Sequence, residues 1–239
     1  MTTLAENYAR ICDRLAAAAR RAGREPASVR LVAVSKGRPF SAIRELYELG
    51  QRDFGENRIE EAGDKIMAAR EASLSITWHM IGHIQSRKAR AVTADFNWAH
   101  SVDGVALAER LSRAAGEVNR TLPILLECNV SGEEAKYGLA ADRVGTDSEQ
   151  WDVLCVAVAA ILAQPGLQVR GLMTMAPVLP EPEQARPVFK KLRELRDRLA
   201  GRFPTADWRE LSMGMTDDFE PAIKEGTTMA RIGRAIFET

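Results

Sequence analysis

Four groups in this chain of 239 residues lie within apolar strands or just after them and could do chemistry there. The first is Lys36, in "RLVAVSKGRPF" at residues 30–40. Leu31, Val32, Ala33 and Val34 read as a short buried strand. An amine at its end is partly desolvated, which disfavours its charged form. A neutral amine attacks an aldehyde to form a Schiff base. The alternative is a lysine that leaves the core and snorkels to water. Two further groups are glycine turns. "ELSMGMTDDFEPAI" places Ser212, Met213 and Gly214 after a short strand and before an acidic helix start. "TMARIGRAIFE" places Gly233 after another strand, again before a helix. Small residues at such turns let backbone N–H groups approach an anion, and a helix N-terminus favours negative charge. Ser212 adds a hydroxyl; an ordinary turn would leave the same letters. The fourth group is Arg231, inside an apolar strand where an unpaired guanidinium is costly. It faces the strand-end mouth, or it pairs with a carboxylate such as Glu210 or Asp218. A guanidinium only donates, so it suits a ring nitrogen kept unprotonated.

The elements that must position these groups alternate along the chain. The apolar runs expected as strands are Leu31–Ser35, Asp53–Gly55, Trp78–Gly82, Trp98–Val102, Ile124–Asn129, Val169–Met173, Glu210–Ser212 and Met229–Gly233. Between them lie segments of helical period: Ser41–Leu49, Arg58–Arg70, Ser86–Val92, Val105–Val118, Gln150–Ala163, Glu183–Leu199 and Phe219–Glu225. An additional helix, Leu4 to Ala22, precedes them and ends at Gly23. Ser41, Ser86 and Asp217 are placed to cap helix starts. Eight strands with helices between them predict a single α/β domain over residues 1–239, a (β/α)8 TIM barrel with an extra N-terminal helix. A doubly wound sheet alternates in the same way, but no G-x-G-x-x-G follows the first strand. In such a barrel the strand C-termini face the active-site mouth, and the loops after strands seven and eight are the usual phosphate site.

Composition bounds the partners. Lysine plus arginine and aspartate plus glutamate number 33 each, so no global field argues for nucleic acid or an anionic membrane. The three cysteines, Cys12, Cys128 and Cys155, show no C-x-x-C spacing, which predicts a reducing compartment and neither zinc nor disulfides. No apolar run approaches a membrane span or a signal core, and a cytoplasmic location is expected.

Several blocks in order carry a resemblance: "AVSK", "FGENRIEEAGDKI", "WHMIGHIQSRKAR", "SVDG", "NVSGEEAKYG", "GLMTMAP", "LSMGMTDDFEPAI" and "TMARIGRAIFE". Together they resemble the pyridoxal phosphate homeostasis protein family, whose members are similar to the barrel domain of alanine racemase. The resemblance runs from about residue 30 to residue 238. It implies pyridoxal 5′-phosphate held as a Schiff base by Lys36. It implies phosphate contacts from Ser212 and from the backbone at Gly233 and Arg234, and the glycine turn at Gly214, read above from the residues, is expected to join them. It sets Arg231 against the pyridine nitrogen and Asn57 near the cofactor. Arg234 stands where the family commonly has a small or hydroxyl residue, so a backbone contact survives there and a hydroxyl contact does not.

The expected function is binding, buffering and delivery of pyridoxal phosphate inside the cell, with no robust catalysis. A ring nitrogen facing an arginine makes a weaker electron sink than a protonated one. Racemisation also needs an acid/base group on each face. The resemblance implies that alanine racemase takes its second group from an added domain in a dimer; without that domain, a monomer is expected. The alternative function is a weak amino-acid racemase or lyase with a base not recognised in the sequence. Expected partners are pyridoxal phosphate and apo enzymes that use it, with no nucleic acid and no membrane. Lys136 is either a second amine for transfer or a solvated lysine, and Tyr137 either a catalytic phenol or a loop tyrosine. His79 and His83 are four apart without a third ligand, so no metal site is expected. Met173, Met175, Met213 and Met215 are expected to pack around a flat ring.

Overall fold

The computed structural model describes residues 2–238. Nine strands run in one order: β1 (Arg30–Val34), β2 (Asp53–Glu56), β3 (Thr77–Met80), β4 (Trp98–Val102), β5 (Leu122–Asn129), β6 (Leu139–Ala140), β7 (Leu167–Met173), β8 (Glu210–Ser212) and β9 (Met229–Ile232). All pairings are parallel. The sheet order is β4-β3-β2-β1-β9-β8-β7-β5-β6, and β4 also pairs with β5. That last pairing closes eight strands into a barrel and leaves the two-residue β6 outside it. The (β/α)8 fold is therefore present, and β6 is the one strand the sequence pattern did not signal. Two residues bury too little to leave a period.

The helices are α1 (Leu4–Arg21), α2 (Phe40–Glu48), α3 (Ile59–Glu71), α4 (Ala89–Asp95), α5 (Val105–Glu117), α6 (Ser148–Leu162), α7 (Arg186–Arg202), α8 (Phe219–Lys224) and α9 (Arg234–Phe237). The main core lies between sheet and helices and includes Phe54, Phe96, Phe189, Phe219 and Leu211. The extra helix α1 turns Ile11, Leu15, Ala18 and Ala19 inward. A fully buried isoleucine such as Ile11 contributes about 1.5–3 kcal/mol. Arg14 and Arg21 of α1 both pair with Glu220, at 2.9 and 2.8 Å, which anchors α1 beside α8.

The capping expectations need correction. Pro39, Lys88 and Asp218 occupy the N-cap positions of α2, α4 and α8, without side-chain capping bonds. The side chains that do cap are Thr3, in a capping box with Glu6, and Asp147, which accepts from the Gln150 N–H. Pro39 with its fixed φ starts α2 one residue ahead of Ser41, and a 3₁₀ turn at Ser86–Lys88 delays α4. Among the described residues no helix is long and apolar enough to cross a membrane.

Candidate functional site at the barrel mouth

Two apolar groups of side chains divide the barrel. Inside it, Val32, Leu125, Met173 and Met229 form a small separate cluster with Trp98 against it. Side chains alternate along a strand, so two residues further toward the C-terminal mouth the same face recurs. Those positions are Val34, Glu127 and Arg231. The barrel interior therefore holds an apolar cluster at mid-height on these strands, with charged side chains just below the mouth.

Lys36 follows β1 and is exposed. It lines a cleft of about 820 Å³ with Val34, Arg38, Met215, Arg231, Gly233 and Arg234. The loop around Pro177 and Val178 also lines it. Gly37 sits at φ +66°, a left-handed conformation that glycine adopts without strain, and the chain turns there into Pro39 and α2. The desolvation expected for Lys36 is not seen: the residue is exposed on the cleft lining instead of being packed at the strand end. The burial falls on its neighbours. Ser35 Oγ donates to Glu56 Oε1 at 2.6 Å, and Lys65 Nζ donates to Glu56 Oε1 at 2.7 Å and to the Ser35 carbonyl at 2.8 Å. Glu56 is fully buried and its Oε2 has no partner among the described residues.

Arg231 forms the floor of the cleft and is 4% exposed. Its Nη1 donates to Ser212 Oγ at 2.5 Å and its Nη2 to the Thr174 carbonyl at 2.9 Å. Neither Glu210 nor Asp218 pairs with it. The Glu210 carboxylate accepts from Thr228 Oγ1 at 2.6 Å, and Asp218 Oδ1 from the Met215 N–H at 2.6 Å. Burial pulls the guanidinium down to about 10, partly offset by the fields of Asp218 and Glu127. It remains protonated near neutrality, with N–H groups left over for an acceptor in the cleft.

The remaining sequence-expected residues divide. Gly233 caps α9, and a side chain there would come within 3.1 Å of the Val34 carbonyl. The first N–H groups of α9 have no intrahelical acceptor, as at any helix start. Arg234 pairs its exposed guanidinium with Asp217, so its charge is already balanced. Gly214 adopts φ +87°, and a Cβ would lie 2.7 Å from that of Ala222, so glycine lets α8 pack on this turn. Ser212, Gly214 and Asn57 are not on the cleft wall. The Ser212 hydroxyl is buried, with its oxygen within hydrogen-bond distance of Arg231 and His100. Asn57 follows β2 with its backbone against Gly82. Lys136 is tied to Glu133 and to the Met175 carbonyl. Tyr137 stacks on His83 at 4.1 Å between ring centres. Of the four methionines only Met215 lines the cleft; Met213 is in the main core, Met173 inside the barrel and Met175 exposed. Among the described residues no cluster of histidine, cysteine or carboxylates could hold a metal ion.

Glu127 is the group that sequence reading passed over. It lies in "LPILLECN", a carboxylate within an apolar strand, the same signal that exposed Arg231. Burial, and then Asp103, raise its carboxyl to about 7, against the field of Arg231. The folded state therefore holds this proton more tightly than the unfolded chain does. Stability is full below the ordinary carboxyl value and falls as pH rises toward 7. The loss is on the order of 3 kcal/mol. Glu127→Gln should stabilise the protein above neutrality and flatten the dependence. Urea midpoints of both proteins between about pH 5 and about pH 8 test this; parallel curves would show that Glu127 ionises normally.

Comparison with known proteins bears on the family and the fold. Residues 7–239 match the family model described as the alanine racemase N-terminal domain. The pyridoxal phosphate homeostasis protein of Pseudomonas aeruginosa is 42% identical over 237 residues, 99% of this chain and 96% of that protein. That of Escherichia coli K12 is 40% identical over 241 residues, covering 99% and 97%. Among solved structures, PipY of Synechococcus elongatus with PLP bound superposes with a TM-score of 0.79 at 35% identity, covering 98% of this chain and all of that one.

Proposed function

Because the chain belongs to the pyridoxal phosphate homeostasis protein family, built on the alanine racemase N-terminal fold, we propose that it binds pyridoxal phosphate in the barrel-mouth cleft and buffers or delivers it. The observation that carries this reading is Arg231, a buried guanidinium with no carboxylate partner among the described residues, at the floor of a cleft with an exposed lysine at its rim.

The donor set fits the cofactor. Bound pyridoxal phosphate supplies an aldehyde that condenses reversibly with an amine. Lys36 offers that amine from the rim. Arg231 offers N–H donors to a ring nitrogen, and because it does not give up its proton near neutrality it leaves that nitrogen unprotonated. The N–H groups at Gly233 and Arg234 lie at a glycine turn with a helix start behind them, which suits a phosphate. Ser212 would act from beneath, by holding Arg231. Asn57 would take part only from the margin, behind Gly82.

This arrangement favours holding over turnover. Glu127 is an acid/base group near neutrality, but it is buried beneath the mouth, and Tyr137 is stacked on His83 outside the cleft lining. The cleft opens to solvent at Lys36, which suits loading and release to apo enzymes from a monomer in the cytoplasm. Lys136, held by Glu133, is read as a structural tie of its loop. Titration of the purified protein with pyridoxal phosphate, followed by absorbance, tests the reading: saturable uptake at one site supports it, and a protein that stays colourless refutes it. Arg231→Gln should weaken uptake roughly ten- to hundredfold and shift the absorbance of the bound cofactor, since a charge-assisted hydrogen bond is lost. An unchanged spectrum and affinity would remove Arg231 from the ring nitrogen.

A further inference from the structure

The floor of the cleft is connected through the barrel to its opposite side. Arg231 Nη1 is 2.5 Å from Ser212 Oγ. Ser212 Oγ is 2.9 Å from His100 Nδ1, and His100 Nε2 is 2.9 Å from His79 Nδ1. His79 Nε2 is 2.9 Å from Asp53 Oδ1. The five residues come from β9, β8, β4, β3 and β2. Asp53 opens its strand, at the end of the barrel away from the mouth, and is partly exposed there. The two histidines and Ser212 are fully buried.

The ends dictate the protons between them. A guanidinium only donates and a carboxylate only accepts. Arg231 therefore donates to Ser212 Oγ, and His79 donates through Nε2 to Asp53. A neutral His79 must then accept at Nδ1 from His100 Nε2–H. His100 in turn accepts at Nδ1 from the Ser212 hydroxyl, which frees the serine oxygen for Arg231. Every donor points from Arg231 toward Asp53, with both rings neutral. Burial opposes the alternative: it lowers His79 in spite of Asp53, and it lowers His100 well below its ordinary value, with His79, Arg231 and Arg30 adding to the effect on His100. A cationic His100 would also need to donate to an oxygen already taking the Arg231 proton.

We infer that Asp53, His79, His100 and Ser212 are positioning residues that lock the Arg231 guanidinium and set how strongly its remaining N–H groups donate into the cleft. The strength has a physical source. Hydrogen bonds in a chain polarise one another, more so in a low-dielectric interior, and this chain ends on a carboxylate. Asp53 does not line the cleft, and Arg30 Nε, 3.9 Å from its Oδ1, offsets its direct field, so the chain is the main route by which it acts on a ligand there. The effect on a bound cofactor rests on the function proposed above; the proton arrangement does not.

Two measurements test it. In the first, ¹⁵N shifts of the histidine rings are recorded on the cofactor-free protein at neutral pH. Both rings should be neutral and protonated on Nε2. A cationic ring, or a proton on Nδ1 of either, would overturn the chain. In the second, Asp53→Asn is loaded with pyridoxal phosphate. This variant keeps the side-chain size and removes the charged terminus. Its bound cofactor should absorb at a displaced maximum and leave roughly tenfold faster than from the native protein, while borohydride still marks Lys36. An unchanged maximum and rate would overturn the inference, as would a lower Tm with no spectral change. If the native protein takes up no cofactor, the proposed function fails. The inference is then decided by the ring shifts of the native and Asp53→Asn proteins, in which an undisturbed His100 in the variant would contradict it.

Discussion

Replacing Lys36 with alanine should leave a barrel of native stability that no longer retains pyridoxal phosphate through gel filtration. The side chain is exposed and makes no hydrogen bond among the described residues, so its removal should change stability by less than about 0.5 kcal/mol. The loss of retention should be complete, because the donors proposed at Arg231, Gly233 and Arg234 would hold only the ring and phosphate, and reversibly. Lys36→Arg should fail equally, since a guanidinium stays protonated and does not attack an aldehyde. A Lys36→Ala protein that still carries stoichiometric cofactor through the column, with the native spectrum, would place the reactive amine elsewhere.

The second large effect lies behind the strand that presents Lys36. Lys65→Met removes the partner of a fully buried carboxylate and should destabilise the protein by about 3–5 kcal/mol. Glu56 would keep only the Ser35 hydroxyl, and its Oε2 already lacks a partner among the described residues. The double variant Glu56→Gln, Lys65→Met should recover most of that loss, because no uncompensated charge stays buried. Urea denaturation reads both. A single-variant loss below about 1 kcal/mol, or no recovery in the double, would mean that water reaches Glu56 and the ion pair contributes little. The pair also fixes the turn, since Lys65 donates to the Ser35 carbonyl. Lys65→Met should therefore loosen the presentation of Lys36 and slow cofactor uptake.

Most of the fold was legible because each barrel strand is a short apolar run set off by a helix of different period. The strand that escaped, β6, has two residues and one half-buried side chain. The capping errors arose where Pro39 and a 3₁₀ turn overrode serine preference. At the site, Lys36 and Arg231 were legible as charges misplaced in apolar context, and the structure brings both to one cleft with Gly233 and Arg234. The same logic applied to Glu127 in β5 and to His100 in "WAHSV", and both are interior residues. The Glu56–Lys65 pair was not legible. Its two members lie on β2 and α3, and the sequence of each looks like an ordinary charged surface. For Ser212 the sequence shows only that it follows a strand, not which way its hydroxyl is engaged. The barrel register turns it toward His100.

The central claim is that one amine, at the end of β1, captures the aldehyde of pyridoxal phosphate. The most direct measurement is to load the native protein, reduce it with borohydride, digest it and sequence the modified peptide by mass spectrometry. A single pyridoxyl group on Lys36, in the peptide around "AVSKGR", is the result the account predicts. A label on Lys136, Lys65 or spread over surface lysines, with Lys36 unmodified, would contradict it.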